Sequence, residues 1–158
     1  MSAFEKVVFV CNGNTCRSPM AATIMSNVMP KMLVCSRGMV VLFPEPYNQK
    51  AVAVASKFGY IMPNNSAQQL TNDDFGDNVL VLAMDNSMKQ KIYDEFIEAV
   101  NVYTISEYAR EPDTAVEDPY GKGASEYSDC FQIIERLVKK IAAQISDDTM
   151  RKGVANEI

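Results

Sequence analysis

The stretch Val7-Val8-Phe9-Val10-Cys11-Asn12-Gly13-Asn14-Thr15-Cys16-Arg17-Ser18-Pro19-Met20-Ala21 changes character twice. Lys6 to Val10 is a continuous β-branched and aromatic run, which predicts a strand buried on both faces of a parallel sheet. The run stops at Cys11 to Thr15. Beyond it Met20, Ala21, Ile24, Met25, Val28 and Met29 recur at three- and four-residue spacing until Pro30, the pattern of a helix with one apolar face. The order is therefore strand, glycine-containing loop, helix, with the loop at the carboxyl end of the strand. Open α/β sheets bind their ligands at that edge.

The loop holds Cys11 and, after five residues, Arg17. The amides of Asn12, Gly13, Asn14, Thr15 and Cys16, with the positive end of the following helix, can gather around one tetrahedral oxyanion. Arg17 adds a bidentate fork to two of its oxygens. The same field favours Cys11 as a thiolate, since cysteines at helix N-termini beside a cation titrate at ~3.5 to 7.5. Gly13 and Asn14 tolerate the unusual φ values such a ring demands, although both are also ordinary turn residues. Ser18 stands where its hydroxyl can donate to the thiolate, and Asn14 can brace the loop through its side-chain amide. Spacing alone does not decide the matter, because Cys130 to Arg136 repeats it. That second pair lies in an amphipathic helical pattern without glycine, where backbone N–H groups are already engaged. Cys130 reads as a core residue.

A chain of 158 residues, 47% hydrophobic and 22% charged, reads as one globular domain over 1–158, large enough to fold without a metal or disulfide staple. It contains no histidine, which excludes Ser-His-Asp triads, Cys-His dyads, HExxH zinc sites and C2H2 fingers together. The N-terminal segment Met1 to Lys6 carries no basic region or cleavage pattern, so the expected location is the reducing cytoplasm, with the four cysteines as thiols. No stretch approaches the length of a membrane-spanning helix. A net charge of −5 argues against broad contact with nucleic acid or anionic membrane.

Further along, Met32 to Cys35 reads as a short strand, Asn48 to Phe58 as a helix closed by Gly59, and Val79 to Ala83 as a second buried strand. Met88 to Phe96 reads as a helix and Val100 to Ile105 as a last strand. Glu126 to Ile145 forms a long helix with Cys130, Ile134, Leu137, Ile141 and Ile145 on one stripe. Alternating strands and helices predict a three-layer α/β domain with a mostly parallel sheet. Cys35 and the ten methionines read as packing residues. Cys16 is either a packed small residue or the partner of Cys11 in a reversible disulfide.

The one long loop, Ser106 to Ser125, is of the kind that is usually functional. Expelling an alkoxide or phenoxide from phosphate needs a proton donor, and without histidine a loop carboxyl such as Asp118 is the natural candidate. Asp118-Pro119-Tyr120 is equally common turn chemistry. Glu111, Asp113 and Glu117 are rivals most simply read as solvated charges, and spacing does not choose among them.

Together, Val7 to Ala21 and Glu117-Asp118-Pro119-Tyr120 about a hundred residues later resemble the low-molecular-weight protein tyrosine phosphatases, over essentially the whole chain. The resemblance implies a flavodoxin-like α/β/α sandwich with a four-stranded parallel sheet in the order 2-1-3-4. It implies Cys11 as nucleophile, Arg17 as phosphate clamp and Asp118 as general acid. The loop residues Asn12 to Cys16 and Ser18 hold the phosphate; Asn14, Ser18 and Ser36 form a hydrogen-bond network; Phe43 and Tyr120 form aromatic walls. Phosphotyrosine proteins are the implied substrates, without metal or cofactor, and the enzyme is expected as a monomer or weak homo-oligomer.

Some positions depart from the family pattern. Asn65 stands where many members carry a histidine, Gln68 replaces a frequent arginine, Arg37 intervenes between Ser36 and Gly38, and Gly121 follows Tyr120 where some relatives have a second tyrosine. A thiol-coupled arsenate reductase would need a pair of relay cysteines in the region that follows Val79 to Ala83, and that region contains no cysteine. A non-catalytic phosphotyrosine-binding module and a flavodoxin-like nucleotide binder are the remaining alternatives.

Overall fold

The computed structural model describes residues 4–157, with side chains to residue 148. Met1 to Ala3, part of the segment read for export signals, lie outside the described residues. The elements run β1 (Lys6–Cys11), α1 (Arg17–Val28), β2 (Leu33–Gly38), α2 (Gln49–Lys57), a 3-10 turn (Asn72–Asp74), β3 (Val79–Ala83), α3 (Asn86–Glu95), β4 (Val102–Thr104), α4 (Ile105–Tyr108) and α5 (Ala124–Glu157). All four strands pair in parallel in the order β2-β1-β3-β4, as expected. β1 is central, which is why Val7, Val8, Phe9 and Val10 are completely buried.

The register sets Cys11 opposite Gly38 of β2, and Val10 opposite Ala83 of β3. The loop after β1 therefore emerges between the ends of two neighbouring strands, and α1 carries it away. α1 packs against β1 and β2 and against α5. The expected stripe on α5 is buried throughout, from Cys130 to Ile145. α2 is capped by Asn48, whose side chain accepts from the amides of Lys50 and Ala51, and is followed by Gly59 at φ 88°. Phe58 at its end stacks on Phe131 of α5 with 5.2 Å between ring centroids. No described helix is long and apolar enough to cross a membrane.

Several readings need correction. β2 continues through Ser36 and Arg37 to Gly38 instead of ending at Cys35, and Cys35 is half-buried. The last strand shrinks to Val102–Thr104. Asn101 at φ 57° precedes it, and a capping box between Thr104 and Glu107 turns the chain straight into α4. The long loop is correspondingly shorter, since α5 already begins at Ala124. Val28, assigned to the apolar face of α1, is exposed.

Candidate active site

The loop between β1 and α1 is held from outside by its carbonyls. Met39 N–H donates to Cys11 O at 2.9 Å, Val40 N–H to Asn12 O at 3.0 Å, Asn48 N–H to Thr15 O at 2.8 Å, and Met20 N–H to Cys16 O at 3.1 Å. Among the described residues, no amide N–H of residues 12–16 donates to another protein group. Cys16 is the N-cap of α1 and makes no capping bond with its side chain, which leaves the orphan donors of the first turn open as well. Such a row of unpaired amides at a helix N-terminus is an anion site.

Cys11 lies at the base of this site, 3% exposed, with Sγ 2.9 Å from Ser18 Oγ. Asn14 orients that hydroxyl. Its Nδ2 donates to Ser18 Oγ at 2.9 Å and to Ser36 Oγ at 2.8 Å, while its Oδ1 accepts from the Gln68 amide at 2.8 Å. With a lone pair of Ser18 so engaged, its single proton faces both the sulfur at 2.9 Å and the Arg37 carbonyl at 3.4 Å. Asn14, fully buried, is also the residue at φ 57°. Gly13 does not have positive φ, contrary to the expectation that both residues bend the loop; Asn14 alone takes the left-handed conformation, and its side-chain bonds offset the strain. The glycine that geometry requires is Gly38. A Cβ there would stand 2.6 Å from Val41 Cγ2, 3.0 Å from the Gly13 carbonyl carbon and 3.1 Å from Asn14 Cβ.

Ser36 reaches Asn14 despite the intervening Arg37, because side chains alternate along β2. Arg37 Nε instead donates to Asp74 Oδ1 at 3.1 Å. Asn65 is exposed and, among the described residues, its side chain makes no hydrogen bond to the network. It lines, with Cys35, Ser36, Arg37 and Gln68, a separate cavity of about 360 Å³ that includes neither Cys11 nor Arg17.

Arg17 is 4% exposed and links the two halves of the site. Nη1 donates to Val116 O at 2.9 Å, and Nη2 lies 3.8 Å from Asp118 Oδ2. Asp118 also accepts from Tyr120 N–H through Oδ1 at 3.1 Å, so the turn reading and the acid reading describe the same residue. A trough of about 480 Å³ lies beside the loop, with Asn12, Arg17, Asp85, Asp113 and Asp118 among its lining residues. Phe43 and Tyr120 are both exposed, and neither lines this trough.

Glu111 is no free loop charge. It accepts from Arg136, Lys140 and Thr114, which hold its carboxyl down at about 2 and tie the foot of the 111–118 segment to α5. The sequence signal was a pair of cations four residues apart on one helix, with nothing local to name their partner. All four cysteines are free. Burial raises the Cys16 thiol, pushes Cys130 up to about 12 and raises Cys35, so these three are neutral at pH 7.

The family model for low molecular weight phosphotyrosine protein phosphatase matches residues 6–151. A low molecular weight protein-tyrosine-phosphatase of Staphylococcus epidermidis, PtpB, is 31% identical over 136 residues, 86% of this chain and 96% of that protein. The YwlE arginine phosphatase from Geobacillus stearothermophilus superposes with a TM-score of 0.84 at 28% identity, over 92% of this chain and 96% of that one. A low molecular weight protein tyrosine phosphatase from T. tengcongensis does so with 0.80 at 32% identity, over 88% and 98%. The unpaired amides around a buried cysteine, the arginine beside them and the carboxylate above it thus sit in a chain that belongs to the low molecular weight phosphotyrosine protein phosphatase family.

Proposed function

We propose that the protein hydrolyses phosphotyrosine side chains of phosphoproteins, and small aryl phosphates, through a cysteinyl-phosphate intermediate. The observation that carries this reading is the set of unpaired amides of residues 12–16 beside the Cys11 sulfur, with the loop carbonyls tied outward. The phosphoryl group binds to these amides, and Arg17 forks onto two of its oxygens. Cys11 attacks in line as the thiolate; the S–P bond forms as the P–O bond breaks, and Asp118 gives its proton to the leaving phenolate. Water then attacks phosphorus from the vacated side and loses a proton to Asp118. The S–P bond breaks, and the departing thiolate is stabilised by Ser18. Charge on the equatorial oxygens is met by Arg17 and fixed amide dipoles, so the residues present meet the electrostatic demand. Phe43 and Tyr120 flank the entrance and favour a flat phenyl ester over the short stem of phosphoserine.

A second reading is favoured by the Geobacillus structure, named an arginine phosphatase. A phosphorylated guanidino group would also use the loop, with Asp118 protonating the leaving nitrogen and Glu117, which lines the same trough and has no ion pair among the described residues, countering its positive charge. Its slender aliphatic stem would leave the space between Phe43 and Tyr120 unfilled. Hydrolysis of one peptide carrying phosphotyrosine, and of the same peptide carrying phosphoarginine, decides between them. We expect kcat/KM to be at least about tenfold higher for the aromatic substrate; the reverse order would replace phosphotyrosine by phosphoarginine as the substrate.

The proposed setting is the reducing cytoplasm, with the enzyme as a monomer or weak homo-oligomer. There a peroxide would convert the Cys11 thiolate to a sulfenic acid, which condenses with the Cys16 thiol to a disulfide and water. Peptide mapping after brief peroxide exposure is expected to find Cys11 joined to Cys16 and activity restored by a thiol reductant. Irreversible loss with Cys16 unmodified would remove the protective role.

A further inference from the structure

Beyond Val40 the chain leaves the catalytic loop and forms the exposed segment Leu42-Phe43-Pro44, whose first two side chains are 88% and 61% exposed. Among the described residues, the backbone of this segment is fastened only to its own neighbour, by Glu45 N–H to Phe43 O at 2.8 Å. Anchors at its two ends fix its place, and residues 66–69 contribute to both. On the far side, Ala67 N–H donates to Glu45 O at 2.7 Å and Pro46 pairs with Ser66. On the near side the anchor is a side chain. Gln69 Oε1 accepts from Val41 N–H at 2.8 Å, while Nε2 donates to Met39 O at 2.9 Å and to Leu70 O at 3.0 Å.

We infer that Gln69 is a specificity-determining positioning residue: its carboxamide stands in for a missing strand and holds the Leu42–Phe43 wall over the phosphate loop. The amide matches the ladder it replaces, with one acceptor for an N–H and donors for carbonyls in one plane. The neighbouring backbone supplies the register. Gly38 N–H donates to Gln68 O at 2.8 Å and Leu70 N–H to Gly38 O at 2.9 Å, placing residue 69 beside the end of β2. The bonds that shape the anion site itself are different ones. Met39 and Val40 N–H grip the carbonyls of Cys11 and Asn12 without help from Gln69. Gln69 thus acts on the side chain that the cleft accepts, and leaves the phosphate cradle alone.

The inference rests on the phosphotyrosine reading, in which Phe43 packs on the substrate ring. Gln69→Met keeps the volume and removes all three bonds; Gln69 is exposed, its bond to Val41 N–H is exposed and the two carbonyl bonds are part-buried, so the freed groups border solvent. For a phosphotyrosine peptide, kcat/KM is expected to fall about tenfold, carried by KM, while the inhibition constant of inorganic phosphate stays within about twofold. In a Phe43→Ala background the same change is expected to cost less than about twofold, because the wall it positions is gone. A phosphate inhibition constant that rises in step with KM would make Gln69 a mere support of the loop and overturn the inference. Equal losses in both backgrounds would overturn it as well. Wild-type enzyme inactive on phosphotyrosine would overturn the functional reading and the inference with it, whereas active enzyme with either failure above overturns the inference alone.

Discussion

Cys11→Ser is expected to lower turnover of p-nitrophenyl phosphate by at least about 10⁴-fold, a barrier increase of about 5.5 kcal/mol, while inorganic phosphate still binds. The two halves of the expectation have separate physical sources. Turnover needs an anionic nucleophile that is also a tolerable leaving group from phosphorus, and a serine hydroxyl at neutral pH is neither. Binding needs the loop amides and Arg17, which the substitution leaves in place. The carbonyls that orient those amides are gripped by the backbone N–H groups of Met39, Val40, Asn48 and Met20, in bonds where the sulfur takes no part. Ser18 would meet a hydroxyl where it met a thiol, so the Asn14 network survives. The assay is run in EDTA with reductant, with phosphate affinity of the inactive variant measured by calorimetry. Turnover near the wild-type rate would remove Cys11 as nucleophile. Loss of phosphate binding along with turnover would show that the sulfur helps build the cradle.

The parts legible in the sequence were those in which local pattern and tertiary role coincide. β1 is central and buried on both faces, so its apolar run has no polar interruption. α1 follows a loop whose composition cannot continue either element. The true loop could be told from Cys130–Arg136 because a helix interior has no free N–H groups, and Cys130 is indeed a buried residue of α5. The polar end of β2 was illegible for the opposite reason. Ser36 and Arg37 break the apolar run, yet they remain in the strand because Asn14, 22 residues from Ser36, and Asp74, 37 residues from Arg37, satisfy them. α4 was missed although its signal was local: Thr104-Ile105-Ser106-Glu107 is a capping box, and the apolar reading of Val100 to Ile105 overrode it. The grip of Gln69 on Met39 and Val41 could not be read at all, since it exists only once β2 has brought those segments together.

Asp118→Ala is expected to slow hydrolysis of an unactivated aryl phosphate by about 10²- to 10⁴-fold, and p-nitrophenyl phosphate far less, because nitrophenolate departs without a proton. The structure gives Asp118 two roles, one oxygen accepting the Tyr120 amide and the other facing Arg17 across 3.8 Å, so alanine alone removes both. Asp118→Asn separates them. Its amide oxygen still accepts from Tyr120 and keeps the turn, but the side chain holds no acidic proton for the leaving group. The remainder of the segment stays fastened by Arg17 to Val116 O, by Ser106 Oγ donating to Thr114 O at 2.6 Å, and by Glu111 on α5. If Asp118 is the acid, asparagine is as damaging as alanine to kcat/KM for the poor leaving group and nearly harmless to kcat/KM for the activated one, because kcat/KM ends at phosphoryl transfer to Cys11 and omits the later water step in which Asp118 is the base. If the turn is what matters, asparagine restores both substrates equally, and a neighbouring carboxyl such as Glu117 must supply the proton.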